Sequence, residues 1–226
     1  MIDFHIHSYF SDGDQTPKEI QQVALRRQLS AIAITDHCNN AGRFMYLRDV
    51  SEPRPLREYI DKIQEIQTND SIKTYIGIEL CEFLPNTDIP QEFSELDFIL
   101  IETFPVQNPS KKAFDPFEEA LKLKRQFACP VGLAHPTLHD IEQNIEKFDQ
   151  YSLFIELNFD KLIDRPAEQE RVFRRTAEIL HSTSKVQISI GSDAHIIFLI
   201  GAVKPIWDFV VQENFQNRLI LVSKST

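Results

Sequence analysis

The feature that most constrains this chain is an alternation. Short apolar runs at residues 1–6, 31–34, 73–78, 97–101, 130–134, 153–157 and 187–190 read as strands. Stretches with helical periodicity, at about 16–27, 56–66, 115–127, 140–148, 166–181 and 204–212, fall between and after them. Two helices announce their start: Thr16-Pro17-Lys18-Glu19 and Asp115-Pro116-Phe117-Glu118 each place a capping side chain, a proline and a glutamate in order. Ala31-Ile32-Ala33-Ile34 is apolar without interruption, as a strand covered on both faces must be. Strands joined by crossover helices run parallel. Seven of them in 226 residues predict an α/β chain closed into one barrel, and no linker or shift of composition divides residues 1–226 into more than one domain. The longest irregular stretch, 38–57, carries Gly42, Pro53 and Pro55 together with Arg43, Arg48, Arg54 and Arg57. A loop of that length inside a compact domain is usually functional or disordered.

The ionisable residues fall at the ends of these strands. His5 and His7 stand two apart, so strand alternation puts both on one side. Asp12 follows in the loop marked by Gly13, and His37, Glu79, His135, Asp193 and His195 sit at or just past later strand ends. In a parallel barrel those ends meet at one rim, where active sites of this architecture lie. Five of the seven histidines gather there, while His139 and His181 fall on helical stretches and read as surface residues. Five imidazoles with three carboxylates at one rim would be costly unless cations neutralised the charge. A mixed histidine and carboxylate set suits zinc, manganese or iron, whereas magnesium and calcium prefer all-oxygen shells. Eight ligands allow two or three divalent ions with open positions, a pattern suited to hydrolysis of a phosphate ester.

Composition narrows the partners. A net charge of −10 argues against binding bulk nucleic acid through its backbone, but not against a small anionic substrate. No apolar run approaches the roughly 20 residues a membrane-spanning helix needs, and no basic-then-apolar leader opens the chain, so no membrane partner and a cytoplasmic location are expected. Cys38, Cys81 and Cys129 are odd in number and lack CxxC spacing, which predicts reduced thiols; Cys38 and Cys81 adjoin motif residues and are expected in the pocket wall.

Taken together, Asp3-Phe4-His5-Ile6-His7-Ser8, Ser11-Asp12-Gly13, Thr35-Asp36-His37, Gly77-Ile78-Glu79, Ala134-His135-Pro136 and Gly191-Ser192-Asp193-Ala194-His195 resemble, in order and over nearly the whole chain, the PHP (polymerase and histidinol phosphatase) family of metal-dependent phosphoesterases. The resemblance implies a distorted (β/α)7 barrel, similar to a TIM barrel, with the metal site at the C-terminal rim of its strands. It also implies a trinuclear centre. His5, His7, Glu79 and Asp193 would hold one ion; Glu79 would bridge to a second held by His135; Asp12, His37 and His195 would hold a third, with Asp36 orienting a ligand from behind. One position departs from the family pattern: Phe104 stands where a histidine ligand is usual, and Glu102, two residues upstream, is the candidate substitute.

The expected activity is hydrolysis of a phosphate monoester or small phosphodiester, of a nucleotide or a small metabolite. Asp12, His37 and His195 are its candidate catalytic residues, and His195 or His37 is placed to assist proton transfer to the leaving oxygen. Arg43, Arg48, Arg54, Arg57, Lys111 and Lys112 are candidates for orienting the phosphate. The alternatives are a histidinol-phosphate phosphatase and a catalytically degenerate metal-binding or structural module. An amidohydrolase-type enzyme is disfavoured, because no lysine ends strands three to five.

Overall fold

In the computed structural model of the chain, residues 1–46, 54–102, 115–158 and 166–221 are described. The elements run β1 (Ile2–Asp3), α1 (Pro17–Arg26), β2 (Ala31–Ile34), β3 (His37–Asn39), α2 (Leu56–Gln67), β4 (Lys73–Glu82), β5 (Phe98–Glu102), α3 (Pro116–Gln126), β6 (Val131–Ala134), α4 (Leu138–Tyr151), β7 (Phe154–Asn158), α5 (Pro166–His181), β8 (Ile188–Gly191) and α6 (Lys204–Gln212). Strand order is β1-β2-β4-β5-β6-β7-β8, every pair parallel, with β3 alongside the end of β4. The first and last strands approach each other: Phe4 N donates to Ile190 O at 2.7 Å, and Ile6 bridges Ala194 in parallel. The result is a nearly closed, distorted seven-stranded parallel barrel with helices around it.

Local chemistry sets the helix starts. Thr16 caps α1 through the Glu19 N–H, and the Glu19 carboxylate accepts in return from Thr16 N, a reciprocal capping box. Asp115 caps α3 through the N–H groups of Phe117 and Glu118. Thr137 and Asp140 form a second capping box, so α4 begins at Leu138, two residues before the expected start. On α1, Ile20, Val23 and Ala24 form the buried stripe that docks the helix on the barrel.

Two strands differ from the sequence expectation. The third expected strand, 73–78, continues to Glu82, because β3 lies beside its extension with His37 opposite Glu79 and Cys38 opposite Leu80. Regular β1 ends at Asp3, and the simple alternation predicted for residues 1–6 fails there. Phe4 turns inward onto Tyr75 and Phe98 at centroid distances of 5.5 and 6.2 Å, and Phe98 meets Phe154 at 6.0 Å. His5 also turns inward, one level higher. The aromatic rings make a dry floor across the barrel. Gly132 makes room for it, since a Cβ there would lie 2.4 Å from Phe154 Cδ2. Above that floor, toward the C-terminal rim, stand His5, His7, Glu79, His135 and Asp193. Among the described residues, no helix is long and apolar enough to cross a membrane.

Candidate metal centre

The rim gathers the expected ligands into two overlapping groups: His5, His7, Glu79 and Asp193 deep in the barrel, and His7, Asp12, His37 and His195 above them. In the deep group, His5 Nε2 lies 3.0 Å from His7 Nε2 and 3.1 Å from Glu79 Oε2, and His7 Nε2 lies 3.0 Å from Asp193 Oδ1. Donors at about 2.0–2.2 Å from a tetrahedral ion stand about 3.3–3.6 Å apart. The four atoms therefore have the spacing of ligands aimed at one point. The orientation of His5 agrees: its Nδ1 lies 2.7 Å from Glu156 Oε1, and its Nε2 faces the group. His5, His7 and Glu79 are fully buried, an arrangement of ligand-type side chains that a cation among them would stabilise. The donor set fits a transition-metal ion.

Charge coupling at this depth is strong. Burial raises the Glu79 carboxyl, but the imidazoles of His5, His37 and His135 outweigh it and hold Glu79 well below the carboxylate range. Burial lowers His5, yet Glu156, Glu79 and Asp193 together carry it above the usual imidazole value. His7 goes the other way, to about 3, because burial is reinforced by neighbouring His37 and His5. A neutral His7 is the form that binds a metal ion.

The upper group is looser and open to solvent. Asp12 Oδ2 is 3.2 Å from His195 Nε2 and 3.8 Å from His37 Nε2, and Asp12 Oδ1 is 3.7 Å from His7 Nδ1. His195 Nδ1 donates to the Asp193 carbonyl oxygen at 2.9 Å, leaving Nε2 to face Asp12. Burial raises Asp12, but His195, His37 and His7 bring it down to about 2. His135 sits beside the deep group with Nε2 2.9 Å from Glu79 Oε1. Glu79 thus touches both the deep group and His135 with its two oxygens. His135 and Asp193 both hold left-handed backbone, at φ 34° and 55°. Such strain in non-glycine residues collects where side chains must be aimed.

Other expected residues fall in varied places. Asp36 accepts from Ser8 N, Ser8 Oγ, Ser11 N and Ser11 Oγ, all within 3.0 Å. It braces the loop that carries Asp12. Glu102 is half-buried near Glu79, His37 and His135. Arg43, Arg54 and Arg57 line a cavity of about 410 Å³ whose lining includes none of the eight ligands. In it Arg54 lies over the Tyr9 ring at 4.1 Å, and Arg57 pairs with Glu95 and Asp61. Arg48, Phe104, Lys111 and Lys112 lie outside the described residues. His139 and His181 are exposed on helices, as expected, and His181 pairs with Glu213.

Sequence reasoning passed over Glu156. It is almost fully buried, accepts from His5 Nδ1 and from His135 N, and receives the Asn158 amide at 3.1 Å. One carboxylate thus orients two ligands. A Cβ on Gly191 would come within 2.1 Å of Glu156 Oε1 and 2.4 Å of His5 Cβ, so glycine is required there. The available signal was a lone acid in an apolar strand, two residues from Phe154 and two from Asn158.

The PHP domain model matches residues 3–214, and the chain belongs to that family. A probable phosphatase of Acetivibrio thermocellus is 23% identical over 230 residues, 98% of this chain and 90% of that one. An uncharacterized protein of Methanocaldococcus jannaschii is 28% identical over 157 residues, covering 69% of this chain and 66% of that protein, just under two thirds of its length. Among solved structures, histidinol phosphate phosphatase from Lactococcus lactis, complexed with zinc, L-histidinol and phosphate, superposes with a TM-score of 0.60 at 19% identity, over 95% of this chain and 94% of that one. At that identity the likeness is one of fold.

Proposed function

Starting from membership of the PHP family, we propose that residues 1–226 act as a single-domain, metal-dependent phosphoesterase that hydrolyses a phosphate monoester or small phosphodiester of a nucleotide or small metabolite. The observation that carries this reading is the convergence of His5, His7, Glu79 and Asp193, and of Asp12, His37 and His195 above them, on one rim. Two or three divalent ions, of zinc, manganese or iron, fit these groups and would supply Lewis acidity toward phosphoryl oxygens and an acidified water. The chain's own residues divide the remaining work. Glu156 fixes the His5 ring and the His135 backbone so that neither reorients when substrate arrives. The aromatic floor of Phe4, Phe98 and Phe154 closes the barrel below and keeps bulk water to the open side. Asp12 and His195 form that open side, with His37 buried behind them, and a phosphate dianion enters there. Among them His195 is a third exposed and is the side chain placed to pass a proton to a leaving oxygen.

The test is phosphate release from an aryl phosphate, nucleoside monophosphates, histidinol phosphate and an aryl phosphodiester, after loading with zinc, manganese or iron. At least one should turn over, and His5→Ala should abolish the turnover. Equal turnover in His5→Ala would overturn the assignment. Tight metal binding with no turnover of any substrate would favour a structural module instead.

A further inference from the structure

β4 does not stop at its ligand. Glu79 lies opposite His37 of β3, and Leu80 lies opposite Ile101 of β5. Carried one residue further, that register sets Cys81 beside Glu102. Strand alternation gives Cys81 and Glu79 the same face, so a second tier of donors stands above Glu79. The tier is real in space: ligand atoms of His37, Cys81 and Glu102 all lie within 4.8 Å of one another. They come from β3, β4 and β5.

Each member has capacity left for a ligand. His37 is about nine-tenths buried, with its Nδ1 3.1 Å from Glu79 Oε2 and its ring beside the Cys81 thiol. Its other nitrogen, Nε2, is the one that faces Asp12. Cys81 is buried, its thiol lies 3.5 Å from the Cys38 carbonyl oxygen in a weak hydrogen bond, and it also contacts His37 and Tyr46. Glu102 adds a carboxylate close to that of Glu79. Two carboxylates and a thiol around one imidazole are a poor packing arrangement and a good cation site. A nitrogen, a sulfur and an oxygen donor are a zinc-type set, softer than the all-nitrogen-and-oxygen groups beside it.

We propose that His37, Cys81 and Glu102 form an additional divalent-metal site on the β3–β5 wall of the centre, with the Cys81 sulfur as a ligand and zinc as the preferred ion. His37 is then the link between this site and the group at Asp12. On binding, the Cys81 S–H bond and the N–H bond of the ligating His37 nitrogen break, both protons pass to water, and sulfur–metal and nitrogen–metal bonds form; no electron is transferred. Ligands on one ion stand about 3.4–3.8 Å apart, so the trio closes by small side-chain rotations.

The experiment uses cobalt(II), whose bond to a thiolate gives a near-ultraviolet charge-transfer band. Cobalt-loaded protein should show that band. Cys81→Ser should lose it along with one equivalent of bound cobalt, and Cys38→Ser and Cys129→Ser should keep it. With the unmodified chain, zinc should slow alkylation of Cys81 at least tenfold and leave Cys129 unaffected, a readout that needs no variant to fold. Cobalt bound without the band, or a band that survives Cys81→Ser, overturns the site, as does alkylation of Cys81 indifferent to zinc. The site shares its centre with the proposed phosphoesterase but does not depend on it. The band with no phosphatase activity defeats only the activity, and activity without the band defeats only the site.

Discussion

The deep and upper halves of the centre use the same residue types and are built differently. His5, His7 and Glu79 are sealed from solvent, and the His5 ring is set from behind by Glu156. Asp12 and His195 are about a quarter and a third exposed, and Asp12 spans contacts of 3.2 to 3.8 Å. The deep half is preorganised, so it can hold an ion before substrate arrives. The upper half has slack, which suits an ion or a phosphate that comes and goes. Burial and orientation, more than ligand identity, separate a permanent metal from an exchangeable one.

Four perturbations probe that contrast. His5→Ala removes a deep ligand and should lower kcat/KM on the order of 10³-fold or more, with bound metal falling in parallel by elemental analysis; a variant that kept its deep ion would break the contrast. His195→Ala acts on the upper half and should cost roughly 100-fold in kcat while the deep ion stays bound. Loss of all metal there would show that the halves form one unit. Glu156→Gln leaves every ligand in place but weakens the acceptor behind His5, and competition with a chelator should show metal affinity down about 10–100-fold. An unchanged affinity would mean that orientation from behind is unimportant.

The fourth and smallest effect concerns the frame. Asp3 accepts from Ser192 N at 2.9 Å, Ser192 Oγ at 2.7 Å and Gly201 N at 2.7 Å, joining the two ends of the barrel. Burial outweighs these bonds and raises its carboxyl from 3.8 to about 6. The folded state therefore favours the protonated form. The associated stability is complete below the unfolded value and disappears as pH rises through about 6. Urea titrations of metal-free protein should show the natural chain losing, relative to Asp3→Asn, on the order of 2 kcal/mol across that window. A parallel dependence in the two proteins would remove Asp3 from the account.

Much of this was legible in the sequence, for identifiable reasons. Alternating apolar runs fixed the parallel barrel, because crossover connection leaves few other topologies. The strand-end positions of His5, His37, Glu79, His135 and Asp193 fixed where the centre would be. What escaped depends on register and on breaks in regularity. Glu156 speaks only through its neighbours, and the inward turn of both Phe4 and His5 contradicts period-2 alternation. Local pattern does not encode which strand lies beside which.

The long reach of Asp3 has a consequence for how such a molecule comes into being. Its partners Ser192 and Gly201 are the 189th and 198th residues after it, and His7 meets Asp193 across a similar gap. During synthesis the opening histidines leave the ribosome long before their counterparts exist. Until then the deep group of His5, His7 and Glu79 lacks its fourth member, Asp193. On the proposed reading, completion of the metal site is therefore a late event, governed by emergence of the eighth strand.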